Sequence, residues 1–192
     1  MRISGGAARG IRLLVPAGFD VRPSTDSLRQ AVFSSLAARL RGARFLDLFA
    51  GSGAFGLEAL SRGAGGGVFV ERNPRAVECL RRNLAAVGKS LGRTVDDIVV
   101  LPRDVFAAPF EVQPVPDLVF VDPPFPDIEA VAPKLFARLS THLANRDDAL
   151  VIFKMPGAMS LSPPGWSCIK RLGAAGQPNA VFFRRTNSPP TK

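Results

Sequence analysis

Cysteine is scarce in this chain: Cys79 and Cys168 stand far apart and form no CxxC pair. That spacing argues against a disulfide framework and a zinc site, so reduced intracellular thiols and no bound metal are expected. Both cysteines are read as small buried residues. Histidine is scarcer still. His142 is the only one, and it falls at an expected helix end, where it is read as a helix-end residue and not as a base. No apolar run approaches the roughly 18–20 residues that a membrane helix needs. The opening MRISGGAARG lacks the apolar centre of a signal peptide. A cytoplasmic protein with no membrane partner is therefore expected. Acid is missing from one end altogether. Residues 151–192 hold six Lys or Arg and no Asp or Glu, and residues 1–44 hold eight Arg against two Asp. Residues 45–150 carry a net charge of −3 within a chain of +9. Basic ends around a mildly acidic middle suit a polyanion at the ends and a different site between them.

What is present is enough for one packed domain. The chain has 192 residues, 46% of them hydrophobic, which is short for two domains. Its 18 Gly and 17 Pro sit between apolar runs, as turns do. Residues 2–16 read as a short hairpin or an irregular strand pair. Thr25, Asp26 and Ser27 are good N-caps, and Leu28, Val32, Phe33, Leu36 and Leu40 recur at helical spacing, which predicts an amphipathic helix over 27–41. Strands are expected at 44–49, 68–71, 97–101, 117–121 and 149–153. They alternate with helices at 54–62, from Pro74 to about 87, and at 127–143. Two further strands, 166–171 and 179–185, follow without a helix between them. The pattern is an α/β fold, a mainly parallel sheet ending in an antiparallel hairpin, with its ligand expected beyond the carboxyl ends of the strands.

Every motif falls at such an end. Asp47-Leu-Phe-Ala-Gly51-Ser-Gly53-Ala-Phe-Gly56 places GxGxxG between a strand and a helix. Alone it fits a pyrophosphate site or a turn with no ligand. Asp47 would repel a diphosphate and attract a cofactor with a cationic amino-acid end, such as S-adenosylmethionine. The carboxylate of that cofactor could accept N–H bonds from the glycine turn. Glu71 ends the next strand, where an acid bonds ribose hydroxyls. This supports a nucleoside without choosing between cofactors. Asp104 follows the third strand and could accept from an adenine amine or cap a helix.

The fourth strand runs into Asp122-Pro123-Pro124-Phe125. Prolines stiffen this loop and leave its carbonyls free to accept. The lone pair of an exocyclic base amine is delocalised into the ring. Two acceptors on its N–H bonds, the Asp122 carboxylate and the Pro123 carbonyl, would hold the lone pair toward a methyl donor. Phe125 would stack on a flipped-out base. The reaction would be an in-line displacement accelerated by orientation. Cytosine-C5 methylation is disfavoured, because it needs a nucleophilic cysteine near this loop.

These residues resemble the bacterial 16S ribosomal RNA guanine-N2 methyltransferases, in the small class that consists of a methyltransferase domain with little added. The glycine motif and DPPF are shared by many amino-methyltransferases. The narrower likeness lies in Arg2-Ile-Ser-Gly-Gly6, Arg9-Gly10, Arg22-Pro-Ser-Thr-Asp26 and Gly56-Leu-Glu-Ala-Leu-Ser-Arg-Gly-Ala64, and it runs nearly end to end. The resemblance implies a Rossmann-like class I core over 44–192 with a basic N-terminal extension over 1–43. The core would have seven strands and helices on both faces. It also implies a small-subunit rRNA guanine as substrate, within the 30S subunit or an assembly intermediate, and a monomer. S-adenosylmethionine would meet Asp47, Phe49, Ala50, Gly51 and Gly53 in the first turn. Beyond the next strands it would meet Glu71, Arg72, Asn73, Asp104, Val105 and Asp122. Asp122, Pro123, Pro124 and Phe125 would form the catalytic loop. Arg2, Arg9, Arg12, Arg22 and Arg29 would meet rRNA phosphates or help close the cofactor site. The chain departs from the pattern in having no tyrosine, in loop-like stretches at 89–97 and 107–116, and in a loosely matched tail near Gly176-Gln177. A DNA adenine-N6 methyltransferase uses the same loop type, but 192 residues leave little room for a DNA-recognition region. A non-catalytic RNA-binding assembly factor on this fold is the other alternative.

Overall fold

Five apolar runs make the centre of the sheet: β1 (Arg44–Leu48), β2 (Gly66–Val70), β3 (Ile98–Leu101), β4 (Leu118–Val121) and β5 (Leu150–Met155). β6 (Trp166–Leu172) and β7 (Asn179–Arg185) complete it. The computed structural model describes residues 1–16, 23–107 and 114–186. The strand order is β3-β2-β1-β4-β5-β7-β6, with β1 to β5 parallel and β7 antiparallel to both of its neighbours. The chain steps outward from β1 to β3, then returns to β4 on the other side. The carboxyl ends of β1 and β4 therefore flank the reversal point, where such sheets open a crevice.

Strand alternation divides the core into two layers. Phe45, Phe69, Phe120, Ile152 and Phe182 pack under α1 (Pro23–Ser35), α2 (Ala54–Ser61) and α3 (Pro74–Leu91). Leu46, Val68, Val119, Phe153 and Phe183 pack under α4 (Ile128–His142). Helices thus cover both faces, as expected. Among the described residues no helix is long and apolar enough to cross a membrane, and no cluster of His, Cys, Asp and Glu could hold a metal ion.

The N-terminal extension shares the first of these layers. Ile3, Ala8, Leu13, Val32 and Phe33 are buried in it. The buried Asn83 of α3 clamps the extension to the body. Its Oδ1 accepts from the Leu14 N–H at 2.8 Å, and its Nδ2 donates to the Leu14 and Ser52 carbonyls at 2.9 and 3.0 Å.

Several expected boundaries move. The hairpin reduces to turns and one isolated bridge, Arg2 to Arg12. α1 starts at Pro23, because proline suits a first helical turn, and it stops at Ser35 before a 3-10 turn over Ala37–Arg39. Thr25, Asp26 and Ser27 therefore lie inside the helix. α3 continues past residue 87 to Leu91 and stops at Gly92, whose φ of 61° permits a left-handed cap. Cys168 is exposed, because the edge strand β6 leaves most of its side chains to solvent.

Candidate active site

At the reversal point the alternation that buries Phe45, Phe69, Phe120 and Ile152 sends the residues two places on to the same face. These are Asp47, Glu71, Asp122 and Lys154. All four line one cavity of about 970 Å³.

Asp47 is 2% exposed. Its Oδ2 accepts the Gly56 N–H at 2.9 Å, in the first turn of α2. Burial pushes its carboxyl well above the ordinary 3.8. The Gly56 bond lowers it in part, and repulsion from Asp122 and Glu71 adds to the rise. No described arginine or lysine pairs with it. The glycine turn that follows is held from below. Glu71 Oε2 accepts the Gly51 N–H at 2.8 Å, and its Oε1 accepts the Asn73 N–H at 2.7 Å. Asn73 then caps α3, its Oδ1 accepting from Arg75 and Ala76 at 3.0 and 3.2 Å. Phe49 is the one non-glycine residue among those described with positive φ, at 57°. Strain of that kind persists where surrounding structure imposes it, often beside a ligand.

The glycines divide their work. A side chain on Gly51 would enter open space, whereas a Cβ on Gly53 would collide with Leu80. Gly53 sits behind the cavity lining, where the absence of a side chain lets α2 approach α3. Two N–H groups of the turn are already engaged: that of Gly51 by Glu71, and that of Gly53 by the Ala50 carbonyl at 2.8 Å. Ser52, between them, lines the cavity.

The other expected cofactor residues, Phe49, Ala50, Gly51, Arg72, Asn73, Asp104 and Val105, do come together on the cavity wall. Asp104 is already engaged. Its Oδ1 accepts the Phe106 N–H at 2.8 Å and its Oδ2 pairs with Arg72 at 3.0 Å. That pair is largely solvent-exposed and contributes little to stability.

Across the cavity, Asp122, Pro123, Pro124 and Phe125 all line the wall. Asp122 Oδ2 accepts from Lys154 Nζ at 2.7 Å, and the same ammonium lies 6.0 Å from the centre of the Phe125 ring. Pro123 is buried, and no described residue donates to its carbonyl. The loop thus offers two acceptors beside an aromatic face. Lys154 escapes the sequence reading, although a signal is there: a cation in an apolar run, on the strand beside the one leading to Asp122. Arg103 and Phe106 also line the cavity unanticipated.

Arg2, Arg9 and Arg12 are exposed. Arg22 lies outside the described residues. Arg29 is corrected. It is 1% exposed and cannot meet a phosphate from there. Its Nη1 bonds Asp26 at 3.0 Å, its Nε bonds Glu58 at 3.3 Å, and its Nη2 donates to the Arg2 carbonyl at 2.6 Å. It does reach the cavity wall.

A family model described as conserved hypothetical protein 95 matches residues 1–184. The chain is 34% identical over 187 residues to the Ribosomal RNA small subunit methyltransferase D of Escherichia coli strain K12, spanning 96% of this chain and 90% of that protein. A solved Escherichia coli chain with a provisional methyltransferase designation is 30% identical, with a TM-score of 0.79 over 98% of this chain and 99% of that one. A solved RNA methyltransferase from Salinibacter ruber in complex with S-adenosyl-L-homocysteine shares the fold at 14% identity, with a TM-score of 0.59 over 91% and 98% of the two chains.

Proposed function

The chain belongs to the conserved hypothetical protein 95 family, and on that footing we propose that it is a small-subunit rRNA methyltransferase, transferring methyl from S-adenosylmethionine to the exocyclic N2 amine of a guanine in 16S rRNA. The observation that carries this reading is one cavity with two unlike halves. One half holds a buried carboxyl with no described cation beside it. The other holds a stiff Asp-Pro-Pro-Phe loop.

The residues present fit the cofactor. Asp47 is buried and raised by burial, so it gains most from a ligand cation. Gly51 leaves open space over the turn, and the strained Phe49 shapes its approach. Glu71 is 9% exposed and holds the turn with one lone pair on each oxygen, which leaves acceptor capacity for a ribose hydroxyl. Val105 and Phe106 supply apolar wall, and the Asp104 carboxylate stands beside them for an adenine amine. When bound, the cofactor supplies a methyl group on a sulfonium for direct in-line displacement by the amine.

The chain does the rest by orientation. Asp122 Oδ1 and the Pro123 carbonyl accept from the two N–H bonds of the amine and turn its lone pair toward the methyl. Phe125 stacks on the flipped base. Proton removal need not precede attack, because the amine becomes acidic only as it gains the methyl. Placement of this kind accounts for much of the acceleration in reactions without a covalent intermediate. The basic ends, Arg2, Arg9 and Arg12 among them, meet rRNA phosphates, and the protein acts as a monomer on the 30S subunit or an assembly intermediate.

The test is methyl transfer from labelled cofactor to 16S rRNA, 30S particles and duplex DNA, followed by nucleoside analysis. N2-methylguanine in rRNA is the expected product; N6-methyladenine in DNA, or no transfer at all, would overturn the reading. Asp122→Ala should lower transfer by about a hundredfold or more while S-adenosylhomocysteine binds within a few-fold.

A further inference from the structure

Lys154 has no place in the chemistry above, yet it is built into the same wall. β4 and β5 run parallel with Val121 beside Phe153, so the next residues, Asp122 and Lys154, emerge side by side. The lysine side chain is 14% exposed and that of Asp122 is 31% exposed. Lys154 is therefore largely withdrawn from water and placed between the two groups assigned to the base. Its Nζ donates to Asp122 Oδ2 at 2.7 Å and sits 6.0 Å from the Phe125 ring centre, the outer range of a cation–π contact.

The electrostatics give this placement a purpose. Asp122 is near enough to Asp47 to raise its carboxyl by repulsion. A cationic cofactor beside Asp47 would accordingly attract Asp122 as well, and a carboxylate drawn into the cofactor half is lost to the base. A fixed cation on the opposite side holds Oδ2 and leaves Oδ1 to accept from the amine. We infer that Lys154 is the positioning residue of this site: its ammonium tethers Asp122 Oδ2 and steadies Phe125, keeping both turned to the base when the cationic cofactor is bound. The inference rests on the reading of Asp122 as the acceptor for the base.

The full-length protein tests it, with 30S particles or 16S rRNA as substrate and S-adenosylhomocysteine as the binding probe. Lys154→Met should lower kcat by about ten- to a hundredfold, the range for losing a hydrogen bond to a charged group. The KM for RNA and the Kd for S-adenosylhomocysteine should stay within about threefold. Lys154→Arg, which keeps a donor and a charge, should return kcat to within about threefold of wild type. Lys154→Gln, close in size but uncharged, should fall with the methionine variant, and it replaces that variant if the latter misfolds. The inference is overturned if kcat is unchanged in both uncharged variants. It is equally overturned if the loss appears in KM or Kd instead, or if arginine is no better than methionine. The underlying reading fails separately, through a wild-type protein that transfers no methyl to RNA or an Asp122→Ala variant that remains fully active.

Discussion

Asp47 and Glu58 are both buried, 2% and 0% exposed, and both act around α2, one accepting from its first turn and one projecting from its middle. Glu58 is surrounded by donors. Ser4 gives it the backbone N–H at 2.8 Å and the hydroxyl at 2.7 Å, Arg62 gives Nε at 2.8 Å and Arg29 gives Nε at 3.3 Å. Burial pushes that carboxyl up, but the Ser4 and Arg62 bonds together with the Arg29 charge hold it below its ordinary 4.5. Asp47 has one backbone donor and two carboxylate neighbours, and it is held well above its ordinary value. The fold completes one buried carboxylate and leaves the other short of a cation. A deficit that the chain does not fill itself, on the wall of a cavity, is where a cationic ligand gains most.

The two sites should therefore break differently. Removing Glu58 takes a carboxylate from two guanidinium groups, one of them fully buried and left with Asp26 as its acid, so Glu58→Ala should lower unfolding free energy by about 3 kcal/mol, the low end for a broken buried pair, read by urea denaturation. A loss below about 1 kcal/mol would place that cluster with surface ion pairs. Asp47→Asn keeps an acceptor for the Gly56 N–H and removes a poorly compensated charge. Its stability should stay within about 1 kcal/mol of wild type, while its affinity for S-adenosylhomocysteine falls by about tenfold or more. Equal affinity would remove Asp47 from the cofactor half.

The pH dependence sharpens the contrast, because the signs are opposite. The folded carboxyl of Glu58 is lowered, so its stabilisation is fully present above its ordinary 4.5 and is lost as pH falls through the lowered value. The folded carboxyl of Asp47 is raised, so its part of the stability declines as pH climbs from 3.8 toward the raised value. A ligand ammonium favours the ionised form of Asp47. Binding of S-adenosylhomocysteine should hence release a proton in that window and tighten with pH until the free carboxyl is already ionised. Calorimetry in two buffers of different ionisation enthalpy reads the proton directly. No release in wild type, or the same release in Asp47→Asn, would contradict the assignment.

This contrast was half legible in the chain. An acid at the end of an apolar run announces itself, which is why Asp47, Glu71 and Asp122 could be picked out before the fold was known. Lys154 obeys the same rule, but it lies one residue past the end that the apolar run predicts for the fifth strand, which in fact continues to Met155. Gly53 fits a ligand motif, and only the position of Leu80 shows that it serves helix packing. Arg29 had a local signal as well: it shares a helical face with Val32, Phe33 and Leu36. What no local pattern could provide is its partner, because Glu58 lies on another helix and the pairing depends on how the extension docks.

That docking separates the arginines of the extension into two kinds, which gives the smallest of the expected effects. Arg29 is spent inside, and its loss should appear in stability. Arg2 and Arg12 face each other across an isolated bridge, Arg9 lies near the turn, all three are exposed, and no described acid pairs with any of them. Like charges placed side by side without a counterion are mildly unfavourable in the free protein, and a phosphate backbone relieves them. Each arginine that neutralises a phosphate should contribute about 0.7 to the slope of log affinity against log salt on single-stranded RNA. Arg9→Ala and Arg12→Ala should thus flatten that slope by about one contact each, leaving urea midpoints and S-adenosylhomocysteine affinity unchanged within error. A slope identical to that of wild type in the double variant would move the RNA surface away from this bridge and toward the acid-free end of the chain, over residues 151–186.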